Sequence, residues 1–66
     1  MLFDLCEGDT VHLIDRWGHP YTGKVRYELS SRGQGTNLLV GPYLVRSYSG
    51  QPGALVREIV SVTPTR

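Results

Sequence analysis

The chain has 66 residues, 39% of them hydrophobic and 20% charged, with a formal net charge of +1. Sixty-six residues is the size of one domain, near the lower limit at which a chain folds alone, and such a domain buries only about 60% of the surface its unfolded chain exposes. A core of this size leaves roughly 3–5 kcal/mol of net stability, so small domains often rely on a disulfide, a metal or a partner.

Two of those supports are ruled out by the cysteine count. Cys6 is the single cysteine of the chain, which excludes an internal disulfide and a cysteine-based metal framework. An unpaired thiol suits a reducing compartment. No apolar run approaches the roughly 18 residues of a membrane span, and the N-terminus lacks the basic-then-apolar pattern of a signal peptide. The expectation is a cytoplasmic protein with no membrane contact, for which self-association is an available source of extra stability. Charge is unevenly spread. Residues 1–15 hold Asp4, Glu7, Asp9 and Asp15 and no base, whereas residues 16–66 hold seven bases against Glu28 and Glu58. Either the domain has an acidic and a basic side that orient it toward a charged partner, or strand pairing interleaves the two sets and cancels them.

The whole chain, residues 1–66, reads as a single domain with a lead-in over residues 1–7 and a tail over residues 63–66. In the lead-in, Phe3 and Leu5 alternate with Asp4 and Cys6 and supply two apolar side chains to an edge strand or to the base of the core. Glu7-Gly8 makes a turn. Thr10–Asp15 is the first strand, with Val11 and Leu13 on one face and Thr10, His12 and Ile14 on the other. Gly18 and Pro20 stop it, and residues 16–20 form a turn that carries Trp17. Residues 21–29 make the second strand, with Val25 and Tyr27 inward, Lys24, Arg26 and Glu28 outward, and Leu29 at its margin.

Residues 30–36 are polar throughout and read as a mobile loop. Residues 37–40 form a third strand, Gly41-Pro42 a tight bend or bulge, and residues 43–48 a fourth strand. Residues 49–53, Ser-Gly-Gln-Pro-Gly, carry strong breaker chemistry. Arg57-Glu58 fits a 3₁₀ turn, the usual short connector, ahead of a last strand over residues 59–62 that Pro64 ends. No stretch of eleven residues holds a helical period free of Gly or Pro, so long helices are not expected. Five short strands with turn signals every eight to twelve residues or so predict an all-β, five-stranded antiparallel barrel or strongly curled sheet, in which closure removes exposed edges.

With the strands placed, the pattern resembles the Src-homology-3-like small barrels, in particular their KOW and Tudor-type branches. Gly8, Asp9, Val11 and Leu13 match the opening Gly-Asp-x-Val-x-Leu, Gly18 and Tyr21 the following loop, and Gly23 and Val25 the Gly-x-Val start of the next strand. The closing run of residues 57–62 is similar to the short turn and final strand that finish such barrels. The resemblance implies a non-enzymatic module that binds protein or nucleic acid. A KOW loop is typically basic and glycine-rich, whereas here it holds Asp15, Arg16 and Trp17.

Aromatic and basic residues supply the candidate binding surface. Trp17, Tyr21, Tyr27, Tyr43 and Tyr48 can stack bases or enclose a cation if they share a face, with about 1–3 kcal/mol per stacked base. The alternative places Tyr27 and Tyr43 in the core and folds Trp17 back over the barrel end. Arg16, Lys24, Arg26, Arg32 and Arg46, set against only Glu28 between residues 16 and 46, can track phosphates or form an ordinary solvated strand face. The predicted binding residues are Arg16, Trp17, Tyr21, Lys24, Arg26 and Arg32, spread over the 16–21 loop, the 30–36 loop and the strand between them, and Tyr48 at the end of the fourth strand.

Other chemistry is weakly supported. His12 and Asp15 lie three apart on a strand and so face opposite ways, and with His19 they lack a fourth ligand. Cys6 sits between Leu5 and Glu7 near the start of the sequence, a poor setting for a nucleophile, which needs an electropositive neighbour. Gly33-Gln34-Gly35-Thr36 has no lysine and no strand-to-helix context for a phosphate loop. A barrel this small also has no room for a substrate cavity. The expectation is a protein without catalytic, metal or cofactor sites, acting as a protein-interaction adaptor or accessory subunit. A nucleic-acid-binding KOW-like module is the alternative, and a structural subunit of a homo-oligomer or larger assembly a third reading. A protein partner ranks first because a net charge of +1 releases few counterions from a phosphate backbone.

Overall fold

Alternation decides the first strand. The computed structural model describes residues 5–65; Phe3, predicted to pack under the core, lies outside them. β1 (Thr10–Asp15) buries Val11, Leu13 and Asp15 and turns Thr10, His12 and Ile14 outward. The other strands are β2 (Pro20–Leu29), β3 (Thr36–Val40), β4 (Tyr43–Arg46) and β5 (Val56–Thr63). All pair antiparallel in the order β4-β3-β2-β1-β5, with no helix among the described residues. The sheet curls into a half-barrel that brings β4 and β5, the two ends of the order, toward each other.

β2 is the strand that makes the curl. Its first half, Pro20 to Lys24, pairs with β1, and its second half, Val25 to Leu29, pairs with β3. One strand thereby serves two sheet segments, the usual way of turning a corner in a small barrel. Val25 sits at the changeover and is 2% exposed. Gly23 stands beside it, where any Cβ would press on the Tyr21 ring at 2.9 Å, so the corner needs a residue without a side chain. Leu5, Val11, Leu13, Val25, Val40 and Val45 form the core, with Tyr21, Leu38, Tyr43, Val56, Ile59 and Val62 packed round it.

β3 and β4 are joined by the two residues Gly41 and Pro42. Gly41 has φ +57°, the backbone for which tight hairpin turns select glycine. Val45 is an extra residue in β4 opposite the Leu38/Leu39 step, and this bulge drops its side chain into the core. β4 is shorter than predicted. It ends at Arg46, because Ser47 begins a turn closed by the Gly50 N–H donating to the Ser47 carbonyl, which leaves Tyr48 in that turn.

Two other predicted features are corrected. Arg57 and Glu58 lie in β5 and not in a 3₁₀ turn. The turn falls earlier, where the Val56 N–H donates to the Gly53 carbonyl; Gly53 is buried against the Leu44 carbonyl and leaves no room for a side chain. Tyr27 was expected beside Val25 in the core, yet it is 44% exposed. The second half of β2 runs past the packed region, so inward parity no longer means burial. The Tyr27 hydroxyl instead donates to the Leu5 carbonyl at 3.1 Å.

Each end of β1 is anchored by a buried aspartate. Asp9 accepts from the N–H groups of Cys6 at 3.0 Å and Thr65 at 3.3 Å, tying together the two ends of the described chain. Asp15 does the equivalent work at the opposite end. There it builds the site.

Candidate binding surface at the Trp17 turn

Residues 16–19 connect β1 to β2, and their shape is set by Asp15. The hairpin is closed by the Asp15 N–H donating to the His19 carbonyl at 2.9 Å, and the Gly18 N–H returns to the Asp15 carbonyl at 3.0 Å. Side-chain bonds complete the turn: Asp15 Oδ1 accepts from the N–H groups of Trp17 at 3.0 Å and His19 at 2.8 Å. An aspartate that bonds backbone groups a few residues onward is the standard chemistry of such turns. Gly18 supplies the positive φ, +89°.

The second carboxylate oxygen faces inward. Asp15 Oδ2 accepts from the Tyr43 hydroxyl at 3.0 Å, and His19 Nδ1 stands 3.6 Å away. Burial by itself would raise the Asp15 pKa. The hydrogen bonds from the His19 N–H, the Tyr43 hydroxyl and the Trp17 N–H, with the His19 charge, outweigh it and hold the carboxyl below its ordinary value of 3.8. The same bond raises the Tyr43 phenol above its ordinary 10.0, helped by burial and by the Asp15 charge. Asp15 is thus an ionised, fully engaged cap under the turn.

Trp17 stands on this support with 61% of its surface exposed. Its backbone is held while its ring is in solvent. The Arg16 guanidinium lies 5.6 Å from the ring centroid, within range of a cation–π contact. Two further bonds tie the turn to β5: the Arg16 N–H donates to the Leu55 carbonyl at 2.9 Å, and Arg57 Nη2 donates to the Arg16 carbonyl at 2.9 Å. Leu55 is itself 39% exposed. The surface is therefore an indole with the Arg16 guanidinium near its ring, the Arg57 guanidinium against the backbone of the turn at Arg16 and Gly18, and an exposed leucine set beside Arg16.

Arg57 reaches this position through a bulge. β1 pairs Ile14 with Glu58 and Asp15 with Val56, which leaves Arg57 as the extra residue of β5. Bulges re-aim side chains, and here the re-aimed side chain crosses to the Trp17 turn. Neither Arg57 nor Leu55 was among the residues predicted from sequence. The Asp15 cap had a legible signal, an aspartate three residues before a glycine, whereas the bulge had none.

The seven predicted binding residues fall into separate groups. Arg16 and Trp17 belong to the turn. Tyr21 is half-buried, its ring edge-on to Tyr43 at 5.2 Å and its hydroxyl pressed against Gly41. Lys24 is exposed on the outward face of β2, opposite Thr10. Arg26, also outward, is paired with Glu28 at 3.3 Å and with the Gly41 carbonyl at 3.4 Å. Arg32 is exposed in the loop of residues 30–35, and Tyr48 stands over Gly35 of that loop with its N–H bonded to Asn37 Oδ1. The loop is more ordered than its composition suggests, since the Ser30 hydroxyl accepts from the Gln34 N–H and the Ser30 N–H donates to the Gly35 carbonyl. The Trp17 turn precedes β2 and the Arg32 loop follows it, so about 30 Å of extended strand separates them.

The histidines do not converge. His12 points outward to the Thr22 hydroxyl at 3.0 Å while Asp15 is buried. No group of three metal-ligating side chains occurs among the described residues, nor does a helix long and apolar enough to cross a membrane. Comparison with protein-family models, curated proteins and solved structures returned no match.

Proposed function

We propose that the chain is a Src-homology-3-like barrel serving as a cytoplasmic, non-enzymatic adaptor or accessory subunit that contacts a partner protein through the Trp17 turn. The observation that carries this reading is the conjunction of a 61% exposed indole with a turn backbone bonded at every step to Asp15, Leu55 and Arg57. Tryptophan and arginine are the residues most enriched among interface anchors. A pre-ordered anchor loses little conformational freedom on binding.

The test compares wild type with Trp17→Ala in pull-downs from lysate, followed by titration of the purified top-ranked partner. The variant is expected to keep the fold and lose the partner. Recovery of the same partner at the same affinity by the variant refutes the reading. The nucleic-acid alternative rests on exposed Lys24 and Arg32, and it requires oligonucleotide binding that falls steeply with salt and weakens in Lys24→Ala and Arg32→Ala. The structural-subunit alternative requires the isolated chain to sediment as an oligomer at low micromolar concentration.

A further inference from the structure

We infer that the Trp17 turn recognises an acidic peptide segment, with a side-chain carboxylate of the partner between Arg16 and Arg57 and an adjoining apolar side chain on the Trp17 ring. This rests on the preceding reading and names the chemistry of the partner.

The charges at the turn carry the inference. Among the described residues the ion pairs are His19 with Asp15 and Arg26 with Glu28, so Arg16 and Arg57 have no carboxylate within bonding range. Both are exposed, and the bond from Arg57 Nη2 to the Arg16 carbonyl keeps them on the same turn. A guanidinium matches a carboxylate better than a point charge does, because it presents its donors in a planar fork, and this turn carries one on its own side chain and a second against its backbone. Glu58, the acidic neighbour of Arg57 in the chain, pairs with Ile14 and forms no ion pair with Arg57.

Asp15, the other nearby acid, opposes an incoming anion only weakly. It is 2% exposed, and its oxygens already accept from two backbone N–H groups and a phenol. Apolar recognition comes from the indole and from Leu55. An acidic protein segment fits this surface better than a nucleic acid does. The remaining exposed cations, Lys24 and Arg32, stand elsewhere along β2 and beyond its far end, and Arg26 is neutralised by Glu28. Among the described residues, Lys24, Arg26 and Arg32 do not extend the Arg16–Arg57 pair into a basic track for a phosphate backbone to follow.

Trp17 is the single tryptophan of the chain, so its fluorescence reports on this site alone. The experiment selects a displayed library of random 12-residue peptides on the immobilised protein, then titrates the enriched peptides against Trp17 emission. In parallel, ten-nucleotide poly-dT and a mixed-sequence RNA of equal length are titrated. Enriched peptides are expected to carry Asp or Glu beside an apolar residue and to perturb Trp17 emission. Their affinity should fall about tenfold in Arg57→Gln, the factor for losing one charge-assisted hydrogen bond. Arg16→Glu/Arg57→Glu should shift selection toward Lys- and Arg-containing peptides. Circular dichroism checks that each variant folds, and Arg57→Lys serves in place of Arg57→Gln if the latter does not.

Neutral or basic enriched peptides, affinity unchanged in Arg57→Gln, or oligonucleotides that bind more tightly than every selected peptide each overturn the inference. If Trp17→Ala loses its lysate partner while Arg57→Gln keeps it at full affinity, the adaptor reading stands and the acidic-ligand inference falls. If Trp17→Ala keeps the partner, both fall.

Discussion

The Tyr43 hydroxyl, on β4, donates to Asp15 Oδ2 at 3.0 Å across 28 residues of chain. Because the other oxygen of that carboxylate accepts from Trp17 and His19, a tyrosine at one end of the sheet order supports the turn that presents the exposed tryptophan. The order of Trp17 therefore depends on β4 as well as on its own hairpin. Asp15→Ala should lower the melting temperature and reduce the fluorescence anisotropy of Trp17, Asp15→Asn should do so less, and Tyr43→Phe least. Equal anisotropy in wild type and Asp15→Ala would mean that the turn is held without the carboxylate.

The same carboxylate sets an acid limit. Its pKa is depressed in the folded protein, so its contribution is present above the ordinary value of 3.8 and is lost as pH falls through the lower, folded value. Trp17 emission should stay flat from neutral pH to about that ordinary value and change below it, and Asp15→Asn should abolish the acid step. At the alkaline end the sign reverses. The Tyr43 pKa is raised, so its contribution is full below 10.0 and is lost as pH rises through the folded value. Absorbance of tyrosinate near 295 nm should show one phenol titrating later than the rest, and Tyr43→Phe should remove that component.

The core can be tested against the surface. Leu13 is 1% exposed and Val25 2%. Leu13→Ala should cost about 2–5 kcal/mol and Val25→Ala somewhat less, enough to unfold much of a domain this small. Val60, 54% exposed at the other β5 bulge, should tolerate alanine within about 0.5 kcal/mol. Urea denaturation followed by circular dichroism separates the cases, and a folded Leu13→Ala/Val25→Ala double variant would be incompatible with this core.

Gly41 offers a sharper steric test. Its φ of +57° costs an L-residue about 1–2 kcal/mol, and an added Cβ collides with the Tyr21 hydroxyl. Gly41→Ala should destabilise by more than the backbone cost alone. Tyr21→Phe in the same chain should recover only part of the steric cost, since the ring carbons Cζ and Cε2 also lie within 3.0 Å of the added Cβ. A double-mutant cycle with no coupling between the two positions would refute the contact.

Trp17→Ala should behave in the opposite way. Its ring lies mostly in solvent, so the substitution is expected to change stability by no more than about 0.5 kcal/mol. A large loss of stability in urea would assign the indole to packing and remove it from the binding surface.

Val11, Leu13 and Val25 were legible in the sequence because period-two alternation, punctuated by glycine and proline, leaves few choices of inward face. The same rule failed at Tyr27. Alternation specifies which side of a strand a residue is on, not whether anything covers that side, and β2 outruns the core. Arg16 and Trp17 were legible as a presented pair, since a large aromatic between an arginine and a glycine in a turn has little local core to fill. Their partner Arg57 was not. A bulge is one extra residue accommodated by twist, and no composition or spacing announces it.

From its sequence alone this chain is an all-β protein of five antiparallel strands, with a valine and leucine core and a turn that carries its tryptophan. Those properties follow from local rules: the side-chain period of a strand, the backbone freedom of glycine and the missing donor of proline. Only the tertiary structure decided that Asp15 and Tyr43 brace the turn, that Arg57 joins Arg16 beside Trp17, and that Lys24, Arg26 and Arg32 stand apart from them. Each of these depends on β1 meeting β5 in a bulged register and on β2 changing partners at Val25. Registers between distant strands are chosen by the packing of the whole sheet.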